Sequence, residues 1–300
     1  MKQPFKNWVV ATRPWSFPAS TMPALLTISY LFYKKEEIYS DINWWFGIVA
    51  LIGVIFVHAA GNLISDYFDF KKNIDRKESF GSSRMLVDGV FEPKTILIFG
   101  LIMLLIGSIV GLILTIFTGI DLLWIGLIGV AGTYFYYKFK AVALGDLLIF
   151  IIYGPLIGLG TAYVMTSTLQ WDVLLLNVPV AMLVVNILHA NNTRDIKHDG
   201  MADIKTQAML LGVKGSKIQY VVLALGAYIA LIFMNAVGML HPLTLLTLLT
   251  VPVALKNIKI MMKADVEKPE LIKDLDGMSA QLVMMFALLL SILNFISVLL

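Results

Sequence analysis

The chain has no cysteine. Disulfides, thiolate chemistry and Cys-ligated metal sites are therefore excluded. Charge is scarce as well. Asp, Glu, Lys and Arg make up 14% of the 300 residues, against about 25% in a soluble domain. The alternating pattern of an outer-membrane barrel is missing, because the apolar runs are continuous. The net charge of +3 is spread through short loops, with no nucleic-acid motif beside it, so a nucleic-acid partner is not expected.

What is present is hydrocarbon. Apolar residues make up 59% of the chain, and its mean hydropathy is +0.84. A membrane-crossing helix needs roughly 20 mostly apolar residues. Residues 46–63, 95–118, 147–165, 173–188, 218–240 and 278–300 contain no Asp, Glu, Lys or Arg. Residues 14–33, 122–137 and 242–255 are shorter or weaker runs. The expectation is an all-α integral membrane protein with nine transmembrane helices. The first run holds Pro14, Pro18 and Pro23 and no small-residue cleavage site, so it reads as a retained span.

Basic residues set the expected topology. With Met1 in the cytoplasm, 21 of the 23 Lys and Arg fall in cytoplasmic segments, and only Lys34 and Lys35 fall outside. That asymmetry follows the positive-inside rule. The expected location is the cell (inner) membrane, with active-site loops cytoplasmic and the C-terminus outside.

The chain nearly repeats itself. Asn62, Asp66 and Asp69 end one apolar run; Asn191, Asp195 and Asp199 end another, and each Asn and first Asp is echoed 129 positions later. The spacings i, i+4 and i+7 or i+8 put each set on one helix face. Asp75 and Asp203 lie just beyond. Acids at a membrane helix end are costly to hold. Either cluster alone reads as a solvated helix exit of mixed charge, but the echo argues against coincidence. Oxygen donors of this kind suit Mg²⁺, which takes one or two carboxylates plus phosphate oxygens. The expected metal ligands are Asp66, Asp69, Asp75, Asp195 and Asp199.

A diphosphate leaving group also needs cations. Arg84, in Gly81-Ser82-Ser83-Arg84, and Lys138, at the aromatic end of a span, are the leading candidates, ahead of Lys140, Arg194 and Lys205. For Lys71, Lys72, Lys77, Lys263 and Lys273, plain loop charge is the better reading. Tyr67, Tyr134 and Tyr137 could stabilise an allylic cation, although interfacial belts explain most such residues. His58 reads as a hydrogen-bonded bundle residue.

These residues resemble the UbiA-type intramembrane prenyltransferases, and within them the 1,4-dihydroxy-2-naphthoate polyprenyltransferases of menaquinone synthesis. Thr12-Arg13-Pro14-Trp15-Ser16-Phe17-Pro18-Ala19 is similar to the family's R-P-x-[ST]-x-P-A element. Asn62 to Asp75 resembles N-L-x-N-D-Y-x-D-x-x-x-G-x-D, with Ser65 in place of Asn and Asn73 in place of Gly. Gly145-Asp146, Gly154-Pro155, Asn191-Asn192-x-Arg194-Asp195-x-x-x-Asp199 and Lys205-Thr206 match further elements.

The resemblance implies one domain over 1–300, with four-helix repeats at about 1–140 and 141–270 and a ninth helix at about 278–300. It implies a Mg²⁺-dependent enzyme that joins a polyprenyl diphosphate to dihydroxynaphthoate with loss of CO₂. Asp66, Asp69, Asp195, Asp199 and Lys138 would be catalytic. Asn62, Arg84, Lys138, Asn191, Arg194 and Lys205 would bind the diphosphate. Rival acceptors are 4-hydroxybenzoate, homogentisate, haem and chlorophyllide. A rival of another class is a secondary transporter.

Overall fold

A computed structural model describes residues 3–38, 41–76, 83–202 and 204–300. Lys77, Gly81, Ser82 and Asp203 lie outside the described residues. Among the described residues there is no sheet; the only strand-like pairing is a bridge between Val142 and Lys205.

The helices are α1 (Phe5–Ala11), α2 (Pro18–Tyr33), α3 (Trp44–Lys71), α4 (Pro93–Thr118) and α5 (Asp121–Ala141). They continue with α6 (Gly145–Thr166), α7 (Asp172–Arg194), α8 (Ile196–Gly200), α9 (Gln207–Ala236), α10 (Pro242–Met261) and α11 (Leu275–Ser297). Among the described residues, seven helices are long and apolar enough to cross a membrane: α3, α4, α6, α7, α9, α10 and, counted from Pro269, α11. The expected count of nine is not met by that measure. Pro18 opens α2, which has 16 residues, or about 24 Å of rise, short of a hydrocarbon core of roughly 30 Å. The last turns of α5 are diluted by Lys138 and Lys140.

The bundle packs α3 on α4, α7 on α9, and α11 on both α2 and α7. The α3–α4 contact depends on small residues. A Cβ at Gly107 would meet Val57 Cγ2 at 2.6 Å and the Gly53 carbonyl at 3.2 Å. Close backbone approach of this kind is how helices associate where lipid is as apolar as the side chains. The outer face of α4 exposes Ile98, Leu101, Leu105, Ile109, Leu112 and Ile116. Spaced three and four apart, they form a stripe for lipid tails.

Two irregularities position the site. In α6, Pro155 removes a backbone donor and the helix widens at Ile152–Leu156, with Tyr153 at φ −85°, ψ 21°. Wide turns of this sort recur beside functional sites. After α3, Asn73 adopts φ 55°. Gly or Asn tolerates that left-handed value best, which explains why Asn can stand where the resembled motif has Gly.

Candidate functional site

The helix ends that carry the two acid clusters converge on one chamber of about 380 Å³. Asp69 and Asp75 reach it from the end of α3; Asp195 and Asp199 reach it from α7 and α8. Asp276, from the start of α11, joins them. The 129-residue echo thus becomes two acid clusters facing one space.

Two cations also line this chamber, and neither was a leading candidate from sequence. Lys140 Nζ donates to Asp69 Oδ2 at 3.1 Å. Arg13, from the turn before α2, donates through Nη2 to Asp66 Oδ1. Asp66 Oδ2 accepts from Ser83 Oγ at 2.7 Å. Asn62 lines the chamber and donates to the Thr12 carbonyl at 2.9 Å and to Ser16 Oγ at 3.0 Å, which pins the Arg13 turn to α3.

Arg194 is buried behind the second cluster. Its Nε and Nη2 donate to the two oxygens of Asp195 at 3.0 and 2.9 Å, and Nη2 also donates to Asn191 Oδ1. Its Nη1 reaches the Lys273 carbonyl at 3.0 Å and Asp276 Oδ2 at 3.2 Å. It therefore clamps the end of α7 to the approach of α11. Asp146, from the Gly145-Asp146 element, is buried in a network in which it pairs with His189 Nδ1 at 2.8 Å and accepts from Asn192 and Gln219.

The other candidates fall elsewhere. Arg84 pairs with Asp88 at 3.0 Å on the surface. Lys138 is exposed, with Nζ over the Phe135 ring at 5.1 Å. Lys205 is exposed, and its backbone N–H donates to the Ala141 carbonyl. Tyr137 stacks on Phe68 at 3.6 Å, Tyr67 meets Phe68 edge-on, and Tyr134 meets Phe135 edge-on. None of these six lines the chamber; Tyr136 and Tyr153 do. For Lys138 and Tyr134 the reason lies in α5. Thr133, Tyr136 and Lys140 share a face at i, i+3 and i+7, and Lys138 is turned about 200° from Lys140. That spacing was the available signal.

The donor set fits Mg²⁺. It is all oxygen, and Asp199 Oδ2 is buried with no hydrogen-bond partner among the described residues. Among the described residues no three acids or histidines form a ready-made metal cage. Mg²⁺ does not need one, since it is normally shared between one or two carboxylates, water and substrate phosphates. Burial, reinforced by Asp195, Asp69 and Asp75, pushes the Asp199 carboxyl up to about 7 even though Lys140 opposes the shift. Burial and then Asp69 and Asp66 push Asp75 up to about 6.

A second chamber of about 290 Å³ lies among α3, α4, α5 and α6. Its walls are almost wholly apolar, with Gly107, Gly111, Gly126 and Gly129 giving it width. The two chambers share His58, Thr133, Ile152 and Tyr153. His58 is held there by Ser16 Oγ at 3.2 Å and Ser20 Oγ at 2.8 Å, with its ring edge-on to Tyr153.

Within one all-helical bundle a charged chamber thus lies beside an apolar one, with four lining residues in common. Residues 37–272 match the UbiA prenyltransferase family, and the chain belongs to that family. It is a prenyltransferase and an integral membrane protein. UbiA prenyltransferase domain-containing protein 1 of Ailuropoda melanoleuca is 36% identical over 259 residues, 84% of this chain and 74% of that protein. The Mus musculus protein of the same name is 37% identical over 254 residues, 83% of this chain and 73% of that protein.

Solved structures share the fold. A UbiA homologue from Aeropyrum pernix K1 superposes with a TM-score of 0.67 at 17% identity, over 90% of this chain and 94% of that one. A UbiA homologue from Archaeoglobus fulgidus, bound to DMAPP and Mg²⁺, gives 0.58 at 14% identity, over 93% and 99%. The relatives do not bear out the narrower likeness to the dihydroxynaphthoate polyprenyltransferases; membership stands at the level of the family.

Proposed function

We propose that the chain moves a prenyl group from a prenyl diphosphate to an aromatic acceptor, with Mg²⁺ held between the two acid clusters. The observation that carries this reading is the shared boundary of the two chambers, which lie side by side with His58, Thr133, Ile152 and Tyr153 lining both. A diphosphate head suits the charged chamber and a prenyl tail suits the apolar one. The scissile C1–O bond then falls near the junction. The relative from Archaeoglobus fulgidus, bound to DMAPP and Mg²⁺, supports the choice of ligands by likeness.

Asp69, Asp75, Asp195 and Asp199, with Asp66 one turn behind, would hold Mg²⁺, which would supply positive charge to offset that of the diphosphate. Arg13 and Lys140 would stabilise the charge that grows on the diphosphate as C1–O breaks and the electron pair leaves with it. Asn62 and Asn191 offer amides at the rim. Tyr136 and Tyr153 give π-faces to the allylic cation, and the apolar walls keep water from it. A ring carbon of the acceptor forms the new bond to C1, and the ring then sheds H⁺ or CO₂. Arg84, Lys138, Lys205, Tyr67, Tyr134 and Tyr137 act from outside the chamber in this scheme, and Arg194 acts by holding Asp195.

An acceptor other than dihydroxynaphthoate fits the relatives better, and the naphthoate remains the second reading on the strength of the N-terminal and Asn191–Asp199 motifs. We also read α2 and α5 as the two further spans of a nine-helix fold. Residues 1–140 and 141–270 are its repeats, and the acid clusters face the cytoplasm by the charge asymmetry of the loops. The acids lie at helix ends, whereas transporter sites lie near the midplane. The test is mass spectrometry of products from purified protein, Mg²⁺ and prenyl diphosphates of several lengths. The acceptors are dihydroxynaphthoate, the same diol without its carboxylate, and 4-hydroxybenzoate. Prenyl gain with CO₂ loss marks the naphthoate, and prenyl gain alone marks the others. No diphosphate release with any pair would overturn the reading.

A further inference from the structure

The acids of the first cluster are already matched to cations. Arg13 pairs with Asp66 and Lys140 pairs with Asp69. Both pairs are shielded from solvent: the side chains of Lys140 and Asp69 are 14% and 11% exposed, those of Arg13 and Asp66 21% and 5%. Asp66 itself does not line the chamber; Arg13 does. The guanidinium covers the carboxylate.

The Arg13 turn is strained. Its φ is 55°, a left-handed value that costs a non-glycine residue free energy. The Asn62 bonds to Thr12 and Ser16 hold it in that shape. Arg13 Nε is buried and has no hydrogen-bond partner among the described residues, so Asp66 does not use up the guanidinium. The second pair of acids differs. Asp75 and Asp199 have no ion-pair partner among the described residues, and Asp199 Oδ2 has no hydrogen-bond partner among them.

We propose that Arg13 and Lys140 are exchange partners: when substrate binds, Asp66 and Asp69 turn from these cations to Mg²⁺, and the cations turn to the diphosphate. The proposal rests on the reading of the chamber as a prenyl diphosphate and Mg²⁺ site. Its ground is charge balance. A carboxylate committed to a guanidinium or ammonium is a poor ligand for a dication. Freeing the cation inside a shielded chamber leaves a buried charge uncompensated, which is strongly unfavourable. A diphosphate removes that penalty, and its oxygens suit the fork of Arg13. Mg²⁺ and diphosphate therefore bind with positive coupling, each preparing the other's site.

The exchange has a signature that a simple list of ligands lacks. Loss of Arg13 or Lys140 should strengthen binding of Mg²⁺ alone while weakening binding of the diphosphate. The purified chain in detergent is followed by thermal unfolding. The additions are MgCl₂ alone, sodium pyrophosphate alone, and both. Ligand that binds only the folded chain raises the midpoint with its saturation. In the wild type the combined shift should exceed the sum of the two separate shifts. In Arg13→Met and Lys140→Met, Mg²⁺ alone should bind at least roughly tenfold more tightly than in the wild type, and pyrophosphate with Mg²⁺ at least roughly tenfold more weakly. Ser83→Ala, which removes an uncharged donor to Asp66, should leave the affinity for Mg²⁺ alone unchanged. Should a Met variant be less stable, a larger rescue by Mg²⁺ than in the wild type reads the same exchange.

Mg²⁺ binding to both Met variants no tighter than to the wild type would overturn the exchange, as would additive shifts in the wild type. Failure of the wild type to bind Mg²⁺ and pyrophosphate together would instead overturn the reading of the chamber, and the exchange with it.

Discussion

Replacing Arg194 by Met tests whether this residue is a clamp or a substrate contact. Its side chain is 1% exposed, and it serves Asp195 through two hydrogen bonds and Asp276 through one. It also serves Asn191 and the Lys273 carbonyl. Removing one partner of a buried pair costs about 3–5 kcal/mol, because the remaining charge stays buried. Asp276 is 27% exposed, so water offsets part of its loss and the lower end applies, about 3 kcal/mol. At roughly 2–4 °C per kcal/mol for a chain of this order of size, the midpoint should fall by roughly 6–12 °C. Arg194→Lys keeps the charge but not the fork and should lose about half as much. Thermal unfolding in detergent measures both, and prenyl transfer at saturating and limiting donor gives kcat and KM. If Arg194→Met melts within 1–2 °C of the wild type (roughly the scale of a surface change) and only the KM for the donor rises, the clamp argument is refuted and Arg194 is a diphosphate ligand.

Three further outcomes are expected. Asp199 and Asp75 have raised carboxyl values, to about 7 and about 6, so without Mg²⁺ the folded chain holds more protons than the unfolded one. Its stability should then fall between about pH 4 and pH 7, and the stabilisation given by Mg²⁺ should grow over the same range, as thermal unfolding across pH would record. Lys140→Ala should raise the KM for the prenyl diphosphate roughly 10- to 100-fold, the scale of a lost charge-assisted bond, whereas Arg84→Ala and Lys138→Ala, on the surface, should stay within about threefold; equal losses in all three would mean that the chamber is misassigned. Gly126 lines the apolar chamber and a Cβ there meets nothing within 4 Å, so Gly126→Leu should fold normally yet disfavour long prenyl donors over dimethylallyl diphosphate in kcat/KM. An unchanged length preference would exclude this chamber as the tail site.

The two acid clusters were legible because the same helical spacing occurs twice, and spacing along a helix is local geometry. The cations were harder. Lys138 and Lys140 have the same chemistry and sit at the same helix end; only the packing of α5 decides that Lys140 faces in. Arg13 sits in a recognisable element, but its partner Asp66 is 53 residues away, and no pattern in the chain announces that pairing. The aromatics diverge for the same reason: Tyr136 lines the chamber and Tyr137 does not, although they are adjacent in sequence and only about 100° apart around α5.

The sequence by itself determined that this chain lies in a membrane, that it is helical, and that each half delivers an acid cluster at a helix end. Those properties add up residue by residue, from transfer free energies and from the 3.6-residue turn. Only the tertiary structure decided that both clusters face one chamber, that this chamber lies beside an apolar one with His58 and Tyr153 lining both, and which cation answers which acid. Such facts depend on how helices rotate and cross, and that is fixed by contacts such as Gly107 against Val57 between residues far apart in the chain.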